Sequence, residues 1–174
     1  MKTRNALILV AAAVILSALA LINSSRRSQY ASPEEGRKVL PGLPVNDITA
    51  IVITDGSNTS EIARAEDRWV ASNLYNYPVK FKKVRQAILD LYELKVGQTV
   101  NADQSQMENM RIVPPGKATD DTGTLIELYA GNTGPAASLL LGRQRMSSGT
   151  DRFNEGGYPT GRYVSPDKGK TVYL

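Results

Sequence analysis

The sequence of 174 residues contains no histidine and no cysteine. These two absences exclude disulfide frameworks, zinc sites built from Cys and His, iron-sulfur ligation, cysteine nucleophiles and every catalytic triad that uses histidine as its base. The chain also lacks an internal repeat of any period. The chemistry that remains is that of carboxylate, Ser, Thr, Tyr and Lys side chains, and these form no convincing constellation. We therefore expect no catalytic residue, no cofactor and no metal site.

The net charge of +4 is not spread evenly along the chain. Residues 1–38 contain six basic and two acidic side chains, whereas residues 39–174 contain fifteen of each. The excess of four positive charges therefore lies entirely in the N-terminal part, and the remainder is neutral. A neutral domain offers no broad basic face to a polyanion, so we expect no nucleic-acid partner.

One long apolar run, residues 6–22, contains Ser17 as its single polar side chain and has basic residues on both sides. As a helix rising about 1.5 Å per residue it would be roughly 25 Å long, at the short end for a bilayer span. The run predicts a retained membrane anchor, which would make lipid its partner. Two alternatives stay open. A signal peptide could be cleaved after Ala20, because Ala18 and Ala20 match the small-x-small cleavage pattern, and the run could be a buried helix of a soluble protein.

The apolar run divides the chain into four predicted parts. A short basic N-terminus ahead of such a run usually stays in the cytoplasm, so we expect residues 1–5 there and residues 6–22 in the inner (cytoplasmic) membrane as a single pass. Residues 23–38 are polar without an apolar period, which predicts a tether. Residues 39–174 are numerous enough to bury a core, and we expect them to form a domain outside the cytoplasm.

Hydrophobic periodicity within residues 39–174 predicts an α+β fold. The nearly continuous apolar character of residues 47–54 is typical of a strand that is covered on both faces. Further strands are predicted at residues 59–65, 68–71, 124–130, 136–143, 162–165 and 170–174. An amphipathic helix is predicted from Pro78 to Leu94, and a short helix capped by Asp103 is predicted to end at Met110. We therefore expect a mostly antiparallel sheet of hairpins with one long and one short helix, preceded by an N-terminal transmembrane helix.

Two short strings imitate catalytic motifs. Residues 121–123, Asp-Thr-Gly, match the aspartic-protease triplet, but polar residues precede it and the chain holds no second copy. Ser165 and Lys168 have the Ser-x-x-Lys spacing of penicillin-binding enzymes, but Pro166 and Asp167 place them in a turn. A hydrolase that uses a carboxylate pair remains the alternative function, and two carboxylates converging in a cleft would identify it. A glycan or lipid binder is a further alternative, for which exposed Tyr rings along a groove would be the sign.

Residues 147–161 form a glycine-rich segment that is too long for a tight turn and is predicted to join two hairpins. The segment contains Arg152, Phe153 and Tyr158, residue types that contribute much of the energy at contact surfaces. Two interpretations are open for Phe153: it packs back onto the sheet, or it is exposed for a partner. Under the second interpretation these three residues are candidate partner contacts.

The order of several short motifs resembles the domain-of-unknown-function family numbered 4340. The resemblance covers nearly the whole chain and is carried by the basic start, the apolar span, residues 39–48, Arg68-Trp69-Val70, Tyr77-Pro78, Lys83-Val84-Arg85, residues 139–142, residues 161–164 and residues 172–174. It implies a bacterial, membrane-tethered, extracytoplasmic domain, some relatives of which are associated with ABC-type transport and gliding-motility components. It brings no catalytic residues.

The chain departs from the family pattern at two points. Lys80 stands near the start of the long helix, where relatives are expected to have a capping acid. Relatives also continue beyond the position of Leu174, so the chain is expected to correspond to a truncated or minimal member. The apolar run and the missing catalytic chemistry predict a non-catalytic accessory or interaction module at the outer face of the inner membrane. The resemblance implies a protein partner in a membrane complex of transport or gliding type.

Overall fold

A computed structural model describes residues 34–116, 121–131, 133–147 and 157–174. These residues form a mostly antiparallel sheet of nine strands with two helices, which confirms the α+β prediction for this part of the chain. The predicted transmembrane helix at residues 6–22 lies outside the described residues.

The strands and helices follow the predicted order with two additions. The strands are β1 (Ala50–Asp55), β2 (Asn58–Ala65), β3 (Arg68–Ala71), β4 (Tyr77–Val79), β5 (Thr99–Val100), β6 (Thr124–Tyr129), β7 (Pro135–Met146), β8 (Pro159–Ser165) and β9 (Val172–Tyr173). The helices are α1 (Phe81–Glu93) and α2 (Gln104–Asn109). Strands β4 and β5 were not predicted, because segments of three and two residues are too short to show an alternating pattern.

The sheet consists of two meanders joined side by side, with the order β4-β3-β2-β1-β6-β7-β8-β9-β5. All neighbouring strands are antiparallel. Since α1 follows β4 at one edge and precedes β5 at the other, it connects the two edges and packs on one face of the sheet. We call this the helix face.

The main core lies between α1 and the helix face. Val84 and Ile88 of α1 are buried there against side chains of the central strands, including Ile51, Leu128 and Leu139. Trp69, the single tryptophan of the chain, is also buried in this cluster. Successive residues of a strand point to opposite faces, so this core uses every second residue of each strand.

A smaller core covers the opposite face over one half of the sheet. Ile112, Leu140 and Val172 are buried in it, and Met107 and Met110 of the α2 region pack against them. Gly123 and Gly142 allow this close approach, because a β-carbon at either position would collide with backbone oxygens of the segment that follows α2. Over β1 the same face is less covered, since Val52 is half-buried. The prediction that residues 47–54 are covered on both faces is therefore met on the helix face, where Ile51 is buried. It is met only in part on the opposite face, where Val52 is half-buried.

The long helix begins later than predicted. Pro78 lies in β4, where it forms part of the sheet edge, and the helix starts at Phe81 with Lys80 as its N-cap. The side chain of Lys80 makes no capping hydrogen bond, and the first turn contains no acidic residue. The short helix has the predicted cap: Asp103 accepts a hydrogen bond from the Gln106 backbone at 2.8 Å, and the side chain of Gln106 accepts from the Asp103 backbone at 3.0 Å.

The last residues of the predicted tether lie against the domain. The Gly36 amide donates to the Val96 carbonyl at 2.7 Å, and the Val96 amide donates to the Arg37 carbonyl at 2.8 Å. The Tyr173 hydroxyl donates to Glu34 at 2.6 Å, and this hydrogen bond, followed by burial, raises the pKa of Tyr173. Among the described residues, the contacts of the folded domain thus include residues 34–38 of the predicted tether.

Residues 147–161 join the hairpin of β6 and β7 to the hairpin of β8 and β9, as predicted, and the two hairpins also pair with each other. Strand β7 extends to Met146, β8 begins at Pro159, and the two strands pair with each other. The segment is therefore also the connection within one long hairpin, that of β7 and β8. Its residues 148–156 lie outside the described residues.

Candidate functional site

An open groove of about 710 Å³ lies between α1 and the helix face. Its walls are almost entirely apolar. The helix contributes Val84, Ala87, Leu91 and Leu94, and the sheet contributes Ile51, Ile53, Ile62, Ile126, Leu141 and Val164. Several of these side chains, such as Ile53, Ile126 and Leu141, are half-buried rather than buried. The groove therefore exposes apolar surface that lies next to the main core.

The register of the central strands explains why the groove exists. Ile51 pairs with Leu128 and Ile53 pairs with Ile126, so both pairs point to the helix face. Helix α1 covers the first pair, in which Ile51 is 5% and Leu128 is 0% exposed, and leaves the second pair half-exposed. A helix is about 10 Å wide and adjacent strands are about 4.8 Å apart, so one helix of 13 residues covers only part of this sheet.

Charged side chains lie at the rim of the groove. Lys83, Asp90 and Lys95 come from α1 and the residues after it, and Arg162 comes from β8. The Arg162 guanidinium donates through Nε to the Gly142 carbonyl at 3.0 Å. Apolar walls with a charged rim can hold an apolar group and orient a polar one.

A second pocket of about 470 Å³ lies on the other side of α1, above Trp69. Three arginines, Arg64, Arg68 and Arg85, line it together with one acidic residue, Asp67. The pocket is thus cationic, and it adjoins the start of α1, where Lys80, Lys82 and Lys83 are exposed.

The candidate contact residues of the long hairpin are described in part. Tyr158 is 61% exposed and lies opposite Ser147, whose amide donates to the Tyr158 carbonyl at 2.8 Å. Met146 lies at the same end of the hairpin and is 48% exposed. Arg152 and Phe153 lie outside the described residues, so the alternative between a packed and an exposed Phe153 stays open.

The acidic residues do not form a convergent pair in the described concave surfaces. Four such surfaces each contain one acidic side chain, namely Asp47, Asp67, Asp90 and Asp103. In the protease-like triplet, Asp121 is exposed and forms an ion pair with Arg111 at 3.1 Å, and Gly123 is buried under the Arg111 carbonyl. This arrangement makes the triplet part of the packing around residues 110–113.

Two glutamates do share one face of the sheet, although not in a cleft. Glu61 and Glu127 both pair with Val52, from opposite sides, so their Cα atoms are separated by two strand spacings, or roughly 10 Å. Glu127 forms an ion pair with Lys168 at 2.8 Å. Burial, and then the charge of Glu127, raise the pKa of the neighbouring Tyr129. These residues lie on an open sheet face, and sequence analysis had not singled them out.

Ser165 and Lys168, the pair with penicillin-binding spacing, have separate partners. Ser165 is fully buried and its hydroxyl donates to Asp167 at 2.8 Å, whereas Lys168 contacts Glu127. Burial would raise the pKa of Asp167, but hydrogen bonds from Thr171, Ser165 and Lys170 outweigh this effect and lower it. The network stabilises the predicted turn between β8 and β9.

The described ranges contain neither a metal-binding cluster nor a membrane-spanning helix. Residues 34–116, 121–131, 133–147 and 157–174 contain no cluster of three or more side chains suited to a metal ion. In the same ranges no helix has the length and apolarity needed to cross a membrane.

Comparisons with protein-family models, curated proteins and solved structures found no match to this chain. The resemblance to family 4340 therefore stays a prediction, and so does everything that it implies. The groove residues were missed in the sequence because Ala87 and Leu91 continue the apolar stripe of a helix that also packs on the core. One feature of the sequence could have indicated a groove: a single amphipathic helix is too narrow to cover a sheet of at least seven predicted strands.

Proposed function

We propose that this chain is a membrane-tethered, extracytoplasmic, non-catalytic accessory module that binds an apolar ligand in the groove beside α1. The observation that carries the proposal is the groove itself, whose walls are apolar and open while its rim carries the charges. Exposed apolar surface of this kind marks binding sites on soluble domains. The proposed anchor is the apolar run of residues 6–22.

The chemistry of the groove favours the acyl chain of a lipid over an extended peptide. A peptide strand carries an amide and a carbonyl at every residue, and each would need a partner if it were removed from water. The walls formed by Ile53, Ile126 and Leu141 offer side-chain carbon atoms rather than a free strand edge. An acyl chain has no polar groups to satisfy, and Lys83 and Lys95 at the rim are placed to pair with an anionic headgroup.

The entry of the chain into the domain supports a lipid source close by. Residues 34–37 contact the domain at Val96, next to Lys95 and Gly97, which line one end of the groove. Eleven residues, 23–33, separate this point from the proposed anchor, and eleven residues extend at most about 40 Å. A domain tethered in this way would keep its groove near the membrane surface.

Association with a transport or gliding complex is the part of the proposal that rests on the resemblance to family 4340. The exposed Tyr158 and Met146 at one end of the long hairpin favour a protein contact there, together with Arg152 and Phe153 of the same segment. Cross-linking in cells followed by mass spectrometry would identify the neighbours. Replacing Phe153 and Tyr158 by Ala is expected to remove one cross-linked neighbour while the melting temperature stays the same.

The groove can be tested with a phospholipid that carries a photoreactive diazirine at the end of its acyl chain. The full chain is reconstituted in nanodiscs that contain this lipid, illuminated, and digested for mass spectrometry. We expect two sets of labelled peptides: residues 6–22, which report the anchor, and peptides from α1, β6 and β7, which report the groove. The substitution Ala87→Trp should fill the groove and remove only the second set.

A matched control keeps this test specific. Gln86→Trp adds the same side chain to the neighbouring position of α1, which is exposed and does not line the groove. It should leave both sets of labelled peptides in place. Labelling of residues 6–22 alone would refute lipid binding in the groove, and labelling of neither region would refute the anchor. Extraction of the chain from membranes by carbonate, with an N-terminus at Leu21, would also refute the anchor.

A further inference from the structure

The exposed apolar side chains of the domain are concentrated at the β4 edge. Six large hydrophobic residues are exposed among the described residues, and four of them lie between positions 74 and 81. They are Leu74 (59%), Tyr75 (102%), Tyr77 (67%) and Phe81 (61%). We call this set the aromatic edge. Strand β4 has three residues and is roughly 10 Å long, so its loop and the start of α1 form one continuous surface.

The loop before β4 projects its aromatic side chain away from the domain. Tyr75 and Asn76 have φ angles of 54° and 56°, in the left-handed region that non-glycine residues rarely adopt. The loop is fixed by Asn73, whose side chain donates to the Thr59 carbonyl at 2.7 Å. A tyrosine that is fully exposed on a loop fixed in this way contributes nothing to the core, so its position requires another explanation.

The same segment carries a local excess of positive charge. Residues 68–89 contain five basic side chains and no acidic one. Residues 39–174 as a whole contain fifteen of each, so removing these five leaves ten basic against fifteen acidic residues elsewhere. The segment that contains the aromatic edge thus carries an excess of positive charge within a neutral domain.

The cations that surround the aromatic edge lack acidic partners in the described part of the chain. Lys80, Lys82, Lys83 and Arg85 are exposed, and none of them takes part in the ion pairs found among the described residues. They lie at the N-terminus of α1, where the helix dipole adds positive potential and the N-cap side chain accepts no backbone hydrogen bond. This end of the helix thus combines unneutralised positive charge with exposed aromatic rings.

We propose that the aromatic edge and the adjacent lysines dock the domain on the surface of an anionic bilayer. Tyr side chains are enriched at the level of lipid headgroups, and clustered Lys and Arg residues are attracted to anionic lipids. Exposed Tyr rings and Lys side chains on one edge fit a membrane surface better than a protein partner or a nucleic acid, because binding to a bilayer surface needs no shape complementarity.

The proposed docking surface borders the groove and is compatible with the tether. Helix α1 is 13 residues or about 20 Å long, and the tether enters the domain near its C-terminal end, while the aromatic edge lies at its N-terminal end. A tether that extends up to about 40 Å allows the edge to reach the same bilayer that holds residues 6–22. Val79 and Lys83 belong to the groove as well, so docking would bring its mouth to the lipid.

The absence of cysteine from the chain allows a direct test. The variant Leu74→Cys is labelled with an environment-sensitive fluorophore such as NBD, and the full chain is reconstituted in nanodiscs of phosphatidylcholine with or without phosphatidylglycerol. Docking should increase the fluorescence roughly twofold or more, with a blue shift, when phosphatidylglycerol is present. High salt should reverse the increase, because it screens the attraction.

Two controls separate docking from other effects. A label at Ser105→Cys, on the exposed surface of α2 at the opposite face of the sheet, should not respond to lipid composition. Changing Lys80, Lys82 and Arg85, none of which lines the groove, together to Glu should return the Leu74→Cys signal to its value in phosphatidylcholine. The same change at three exposed residues elsewhere, Arg143, Arg145 and Lys170, should not.

Several results would overturn the proposal. The first is equal fluorescence of the Leu74→Cys label with and without phosphatidylglycerol. The second is an equal response of the label at Ser105→Cys, and the third is an equal loss of signal from the two sets of charge reversals. Protection of the Leu74→Cys site in cells through a cross-linked protein, without any response to lipid, would show a protein interface instead. Nanodiscs of phosphatidylcholine alone report the anchor separately, since a chain without one would fail to co-elute with them.

Discussion

Two halves of one sheet differ in how their strands are covered. In β7, Leu139 points to the helix face and Leu140 to the other face, and they are 1% and 0% exposed. In β1, the corresponding neighbours are Ile51, which is 5% exposed, and Val52, which is half-buried between Glu61 and Glu127. Around Leu140 and Val172 the sheet is packed on both faces, and we call this part the two-sided half, whereas the half that contains β1 to β4 ends in the exposed aromatic edge.

The difference shows how the fold divides stability and binding. The segment after α2 places Ile112 and Val113 over the two-sided half, where both are buried. No comparable cover is present over Val52 in the described residues, and on the helix face α1 leaves the groove open. We infer that the second core adds stability to the two-sided half, while the surfaces available for binding border the groove and the N-terminal end of α1.

The largest expected difference in the free energy of unfolding comes from replacing Leu by Ala in each half of the sheet. Leu140→Ala should reduce the free energy of unfolding by about 3 to 5 kcal/mol, because it leaves a cavity between two packed faces. Leu74→Ala, at a residue that is 59% exposed, should change it by less than about 0.5 kcal/mol. Denaturation followed by fluorescence of the single Trp69 measures both values. Equal losses of unfolding free energy would contradict the conclusion that the two-sided half is packed and the β4 edge is not.

The second test adds one methyl group to a glycine. Gly142→Ala should destabilise the domain by about 1 to 3 kcal/mol, since its β-carbon would meet the Met110 carbonyl and the side chain of Ile112. Gly161→Ala is the matched control in the neighbouring strand β8, where the new β-carbon would meet only the flexible end of the Leu174 side chain. A similar loss from both variants would show that the segment after α2 adapts more easily than the structure suggests.

The third test uses pH and concerns the turn that joins β8 to β9. The folded pKa of Asp167 is lower than its unfolded value, so its contribution to stability is present above about pH 4 and is lost as the pH falls through the folded pKa. Thr171→Val removes the hydroxyl that donates to Asp167 at 2.7 Å and should cost about 1 kcal/mol at neutral pH. Unfolding curves measured between neutral and acid pH should converge for the two proteins. Curves that stay parallel would contradict this role of the Asp167 carboxylate.

The smallest expected effect comes from Asp121→Asn. Asp121 and its partner Arg111 are 62% and 49% exposed, and exposed ion pairs of this kind contribute less than about 1 kcal/mol. The substitution should leave the fold and every cellular phenotype unchanged. Loss of function with unchanged stability would instead support the protease-like interpretation of residues 121–123.

Local patterns predicted much of the fold. The alternation in residues 59–65, the apolar stripe from Phe81 to Leu94 and the helix cap at Asp103 depend on neighbours within a few residues of one another. These elements lie where the sequence places them, with ends that shift by a few residues. Pro78 was misplaced because a proline fits both the first turn of a helix and a short edge strand.

The sequence by itself determined both helices and all strands except β4 and β5, the confinement of excess charge to the N-terminal part, and the exclusion of histidine and cysteine chemistry. Only the tertiary structure decided which faces are covered, because coverage depends on contacts between residues far apart in the chain. Ile112 covers Leu140 and Val172, whereas Ile53 and Ile126 repeat the pattern of buried strand residues and still border an open groove. An apolar side chain carries the same signal in both situations, and the width of α1 relative to the sheet makes the difference.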